Sequence, residues 1–322
     1  MLPLQLAGLA LAGRALLTKY NNYKPDTQRE PGSGTQNQAS KNMVIPMAIA
    51  NSLESLSKTL TSSFSQLKES ASKLNRKTES YYTIAKKFVP ENTKLLLPES
   101  PSYTREIHLS DIDGDLSEEL ITSFKLNDEI RTVILKKQND SWYTAAEITN
   151  NEYEILDHRS VADLTGAGKK QLILGLSSRG KPSQVYGYSL ENGKTNELFS
   201  RNYDRLDVLR ESKNRAAQSK AELGVWTRQN DGTYNIEVLG WNGLRLEPVE
   251  NITTYYNEKA IPYFVQRIRK EPYTVCNWCN LADALVKAGT KRDALTAIDT
   301  GMALDRNSKF KNKFTELKNK IK

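Results

Sequence analysis

A mainly β fold with helical flanks, carrying three four-stranded, propeller-like blades and C-terminal helices, is what this sequence predicts. Three observations carry the prediction. An acidic turn leading into an apolar strand, Asp111-Ile-Asp113-Gly-Asp115-Leu-Ser-Glu-Glu119-Leu-Ile121, is echoed by Asp163-Leu-Thr-Gly-Ala-Gly-Lys-Lys-Gln171-Leu-Ile173 and by a degraded Ser219-Lys-Ala-Glu222-Leu-Gly-Val225-Trp226. Aligning Glu119, Gln171 and Glu222 gives steps of 52 and 51 residues, the signature of one supersecondary unit stacked several times. Turn dipeptides at Asn139, Asn192 and Asn242 recur independently at 53 and 50 residues, and Asn followed by Asp or Gly accepts the positive φ angles of two-residue hairpins.

From the N-terminus, residues 1–19 are apolar apart from a few positions such as Gln5 and Arg14, a length suited to a signal or anchor segment rather than to a spanning helix. No Lys or Arg precedes the run, so a buried or interfacial helix is the alternative. Residues 20–43, rich in Asn, Gln, Ser, Thr, Gly and Pro, suit a flexible linker. Across 44–80, Leu53, Leu56, Leu60, Phe64, Leu67, Ala71 and Leu74 step by 3 and 4, which predicts an amphipathic helix able to pack on the β region or to self-associate.

The β region is placed at 81–256, and its units divide into short strands. The first unit has 106–109, 119–126, 131–137 and 142–148; the second 155–161, 172–176, 184–190 and 195–199; the third 204–209, 222–227, 234–239 and 244–249. Four antiparallel strands per repeat is the blade pattern of a β-propeller, which normally needs at least four blades to close. The expectation is therefore an open arc, or a fourth blade assembled from flanks such as Lys94 to Leu97 and Ile252 to Tyr256.

The acidic turn and its strand resemble the FG-GAP/VCBS repeats over about residues 95–250, whose pattern is Asp-x-Asp-x-Asp-Gly-x-x-Asp before an apolar strand. That resemblance implies a propeller, protein or polysaccharide binding through blade-top loops, and an extracytoplasmic, bacterial setting. In the first unit, Asp111, Asp113, Asp115 and Glu119 stand at loop positions 1, 3, 5 and 9 and converge hard oxygen donors, as Ca²⁺ requires. Two carboxylates about 4 Å apart repel by roughly 4 kcal/mol at an effective dielectric near 20, and a cation would turn that repulsion into a clamp. The alternatives are a structural Ca²⁺ site and a solvated turn without metal. Leu116 stands where the family places Gly, and the second unit keeps only Asp163, Thr165, Ala167 and Gln171 at the ligand positions.

Residues 257–322 read as helical. Trp278, Leu281, Ala282, Leu285, Gly289, Ala294, Ile298 and Gly301 resemble the spacing of a tetratricopeptide repeat, with the small residues of the second helix at points of close approach and Gly289 expected to end the first helix in the left-handed region. One such hairpin is too little to stand alone, so it is expected to pack on the last blade. A final helix over 307–322 sets Phe310, Phe314, Leu317 and Ile321 on one stripe amid lysines; burial of the stripe and a membrane or acidic-partner role are the competing readings.

Cys276 and Cys279 are the whole cysteine content, too few for a four-ligand zinc site, and lie outside any thioredoxin-like context. No serine-hydrolase elbow, phosphate loop or zinc-protease motif occurs. The net charge of +8 is local, since the last 17 residues hold seven Lys or Arg against Glu316, and no nucleic-acid-binding motif accompanies it. Leu11-Ala12-Gly13 is similar to a bacterial lipobox, but Arg14 replaces the lipidated Cys. The functional expectation is a non-catalytic extracytoplasmic binding or scaffold module with structural Ca²⁺, associated with the membrane through its N-terminal segment. A divergent enzyme or membrane-associated accessory subunit on the same scaffold is the alternative. Tyr186, Tyr188, Trp226 and Trp241 are the candidate aromatic contacts.

Overall fold

Turn chemistry and apolar strands together produce three antiparallel meanders, four strands to each repeat unit. The computed structural model describes residues 13–20, 81–209 and 220–321. After short helices α1 (13–19) and α2 (81–86), the first sheet comprises β1 (Ile107–Ser110), β2 (Glu119–Leu126), β3 (Glu129–Gln138) and β4 (Ser141–Asn150). The second contains β5 (Ile155–Ala162), β6 (Gln171–Ser178), β7 (Lys181–Glu191) and β8 (Lys194–Asn202); the third contains β9 (Arg205–Leu209), β10 (Glu222–Arg228), β11 (Tyr234–Trp241) and β12 (Leu246–Pro248). The register repeats as well, with Leu120 opposite Leu135, Leu172 opposite Tyr188 and Leu223 opposite Leu239.

Side chains alternate between the two faces of a strand, and on the second strand of each sheet both faces are covered. On β2, Leu120 and Phe124 meet Ala85 and Val89 beyond the first sheet, while Ile121 faces the second sheet. On β6, Leu172, Leu174 and Leu176 face the first sheet and Ile173 faces the third. On β10, Leu223 and Val225 face the second sheet, whereas Trp226 enters the C-terminal helical core. Near-continuous apolar runs such as Leu172-Ile-Leu174 follow from this double burial. The order of layers is thus α2, first sheet, second sheet, third sheet, C-terminal helices.

Helices therefore cover both ends of the stack. Of the flanks considered for a fourth blade, Lys94 to Leu97 contributes a single bridge from Leu95 to Phe124, and Ile252 to Tyr256 is not a strand, because α3 (Thr253–Tyr255) and a π-turn (Tyr256–Ala260) begin there. Their aromatic residues Tyr255 and Tyr256 are buried in the helical core. The segment placed at the start of the β region is likewise helical over 81–86.

Two hairpin turns have the expected geometry: Asn139 and Asp140 sit at φ 47° and 62°, Asn192 and Gly193 at 51° and 73°. The third departs from it. Asn242 spends its side-chain oxygen on the N–H groups of Leu244 and Arg245, at 2.9 Å each, so the strand starts at Leu246 and Leu244 is exposed.

Helices α4 (Ile261–Lys270), α5 (Val275–Lys287), α6 (Lys291–Leu304) and α7 (Lys311–Ile321) complete the chain. Gly289, at φ 75°, closes α5 as expected, with the N–H of Thr290 on the Leu285 carbonyl and that of Gly289 on Val286, both at 3.0 Å, a Schellman cap. Gly301 allows the close crossing read from the sequence, since a Cβ there would lie 3.1 Å from Trp278 Cβ and closer still to Phe314 Cζ. The last helix begins four residues later than expected, because the Asp305 carboxylate accepts from the N–H groups of Lys309 and Phe310 at 3.0 and 2.8 Å. Its stripe of Phe310, Phe314, Leu317 and Ile321 is buried.

Of the apolar N-terminal run, residues 13–20 dock on these helices. Leu16 is buried in the helical core, Arg269 donates to the Leu17 carbonyl at 2.9 Å, and Tyr20 donates to Asp293 at 3.0 Å. The linker at 20–43, beyond Tyr20, and the amphipathic helix at 44–80 lie outside the described residues. Among the described residues no helix is long and apolar enough to cross a membrane.

Candidate metal centre

The turn between β1 and β2 is built by two side chains that spend their oxygens on backbone. Asp111 accepts from the N–H of Gly114 at 2.7 Å and of Leu116 at 3.0 Å. Glu119, wholly buried at the start of β2, accepts from the N–H of Ile112 at 2.9 Å. Ile112 itself is buried between the first and second sheets, so this bond fixes the loop to the core.

Around that frame the carboxylates of Asp111, Asp113 and Asp115 lie within 4.8 Å of one another, whereas Glu119 stands outside the trio. Lys136, reaching across from β3, takes the space among them. Its ammonium pairs with Asp113, with Asp115 at 2.7 Å and with Glu119 Oε1 at 3.5 Å. Burial by itself would lower the pKa of Lys136, but the bonds to Asp113 and Asp115 outweigh it and hold the ammonium above its ordinary value. The same Lys136 bond depresses Asp115. Glu119 is pushed up, chiefly by burial, and its Oε1 has no hydrogen-bond partner.

The three aspartates place oxygen donors close enough to share one cation, and nothing in their arrangement selects Ca²⁺ over another divalent ion. The sequence pattern brings three of its four predicted ligands together, with Glu119 beneath them. The built-in competitor Lys136 was missed because only the strand register places it beside Glu119; Leu120 pairs with Leu135, one residue before it. The turn opens into a cavity of about 430 Å³ that also carries Lys169 and Glu191.

A larger groove of about 720 Å³ runs along the first strands of the second and third sheets. On its floor His158 lies between two hydroxyls, Ser100 Oγ at 2.7 Å from Nδ1 and Ser160 Oγ at 2.7 Å from Nε2. Burial pushes this imidazole down to about 4 against the weaker opposing effect of Asp207. It is therefore neutral near pH 7, with a basicity far from the range in which a general base works best. Asp157 accepts from Ser177 at 2.8 Å and Tyr203 at 3.1 Å, and Asp207 from Tyr255 at 2.7 Å. Nothing in the sequence links Ser100 to His158, which are 58 residues apart.

The aromatic candidates turn inward. Trp226 and Tyr188 are buried, Tyr186 stacks on Tyr188 at 6.0 Å, and Trp241 packs against the core between the second and third sheets. Tyr103, by contrast, is 67% exposed at the groove. The cysteine thiols are both pushed up by burial, Cys279 to about 12, which suppresses the thiolate that redox chemistry needs. No protein-family model matches the chain, and no curated protein is significantly similar to it.

Proposed function

We propose that this protein is a non-catalytic binding or scaffold module, an open arc of three FG-GAP/VCBS-like blades closed off by a helical cap at each end. The observation that carries this reading is the layer order: α2 and the C-terminal helices occupy the two outer sheet faces, so the blades offer partners their edges and turns. The tetratricopeptide-like hairpin serves here as the cap of the third blade. The internally bonded Ser100, His158 and Ser160, with a weakly basic imidazole, support binding over turnover. An extracytoplasmic setting and a protein or polysaccharide ligand follow from the family resemblance. In this reading membrane association falls to residues 1–12, ahead of the docked stretch 13–20, and the acidic turn takes a structural Ca²⁺ when Lys136 is displaced.

Sedimentation with insoluble cell-wall polysaccharide and binding to immobilised peptide arrays test the module. Binding that persists in a D111N/D113N/D115N variant is the expected result. Turnover of an ester or glycoside substrate that disappears in S100A or H158Q would replace the module with an enzyme.

A further inference from the structure

The first strands of the second and third sheets are treated differently by the chain. The free edge of β5 is covered by the segment entering the first blade. The N–H of Ser100 bonds the Asp157 carbonyl at 2.7 Å and that of Arg159 bonds the Ser100 carbonyl at 3.2 Å, making a parallel bridge between Ser100 and His158. Strand β9 occupies the same position in its sheet and pairs with β10 alone among the described residues. Both β9 and the Ser100 segment line the 720 Å³ groove. One bank of the groove is thus already an extended chain laid on a strand edge, and the other bank is an edge on which no described residue is laid.

The groove has a charge opposite to that of the molecule. It contains four carboxylates, Glu99, Asp157, Asp204 and Asp207, against Arg205 and Lys259. Arg205 is committed, stacked at 5.1 Å on both Trp226 and Tyr263 and paired with Asp207 at 3.5 Å. Among the described residues that line the groove, Glu99, Asp157 and Asp204 then face Lys259 alone, a local excess of two negative charges in a chain of net charge +8. An edge strand offers unpaired N–H and C=O groups to any extended chain, and the acidic surroundings select for positive side chains on it.

We propose that β9 is a docking edge for an extended basic peptide of a partner protein, which adds as a strand between β9 and the Ser100 segment and places Lys or Arg side chains toward Glu99 and Asp204. This inference rests on the module reading and gives its partner a chemistry. Leu206 and Val208 already pack between the sheets, so recognition comes from main-chain pairing and charge rather than from an apolar pocket.

The test uses the full chain and a fluorescein-labelled peptide of alternating lysine and valine, followed by anisotropy. Three peptides are compared: the basic one, its glutamate and valine counterpart, and the basic one N-methylated at every residue so that neither of its edges can donate strand bonds. The basic peptide is expected to bind at least about tenfold tighter than the other two, as charge selection and strand pairing each require, and to weaken about tenfold in E99K/D204K, whose folding is checked by circular dichroism. Equal binding of the N-methylated peptide, or indifference to E99K/D204K, overturns the proposal. So does absence of binding by the basic peptide, and so does hydrogen exchange that shows the β9 amides already protected by another part of the chain. Polysaccharide sedimentation that succeeds while all three peptides fail would remove the peptide edge and leave the module standing.

Discussion

The first two turns of the molecule make the same loop with different chemistry. Asp111 and Asp163 each accept two backbone N–H bonds, at 2.7 and 3.0 Å in the first turn and 2.7 and 2.8 Å in the second. Glu119 and Gln171 each reach back to the second residue of the loop, Ile112 at 2.9 Å and Leu164 at 2.7 Å. The second turn does this with no charge at positions 3, 5 or 9, so the backbone shape is set by Asp111 or Asp163 and by the amide or carboxylate oxygen at position 9. A cation is not needed for it. The additional charges of the first turn come with a counter-charge: Lys136 faces Glu119, whereas in the second sheet the corresponding register position, next to Tyr188, is the neutral Ser189. A buried acid and its base have been exchanged together for neutral groups.

The largest effect should come from removing the shared oxygen. Glu119→Ala and Gln171→Ala each leave a backbone N–H without its partner in the core, and each should lower stability by about 2 to 3 kcal/mol in denaturant unfolding. Glu119→Gln, which copies the second turn, should cost less than about 1 kcal/mol. If Glu119→Gln is as damaging as Glu119→Ala, the two turns are not equivalent and the charge itself holds the first one.

A smaller loss, about 1 to 2 kcal/mol, is expected from Lys136→Met, which leaves the carboxylates without their ammonium. Millimolar Ca²⁺ should then raise the melting temperature of Lys136→Met by several degrees and that of the natural chain by less, because binding to the folded state alone is stabilising and Lys136 no longer competes. Equal Ca²⁺ shifts in the two proteins would show that Lys136 does not occupy the cation position.

The smallest effect concerns position 6. Leu116 adopts φ 70° and its side chain is 94% exposed, while the second turn uses Gly168 at φ 77°. A side chain in the left-handed region costs about 1 to 2 kcal/mol, although glycine also gives the unfolded chain more freedom. Leu116→Gly should therefore stabilise the protein by about 0.5 to 1 kcal/mol, read as a shift in the denaturant midpoint without a change in slope.

Local patterns made much of the molecule legible. Each of the twelve strands expected from the turns has a counterpart within a few residues, because Asn139-Asp140 and Asn192-Gly193 settle two of the chain reversals locally and strand-length apolar runs do the rest. The stripe on α7 and the crossing at Gly301 were readable for the same reason, since helical spacing puts those residues on one face. The site was only partly legible. The spacing of Asp111, Asp113 and Asp115 announced a cluster, but a loop pattern carries no information about what stands opposite it, so Lys136 stayed invisible until the strands were paired. His158 beside Ser100 and the acidic groove along β9 are contacts of the same kind.

What the sequence determined by itself, then, was the repeat: its period, its turns, its strands and the oxygen donors of the first loop, all fixed by interactions within a few residues. Tertiary structure decided which faces were covered, that helices rather than a fourth sheet end the stack, that Trp226 is core while Tyr103 is surface, and that an ammonium sits among the carboxylates. Those outcomes depend on burial and charge between segments distant in the chain. Short-range patterning specifies what each element can bury or bind, and only packing decides what it meets.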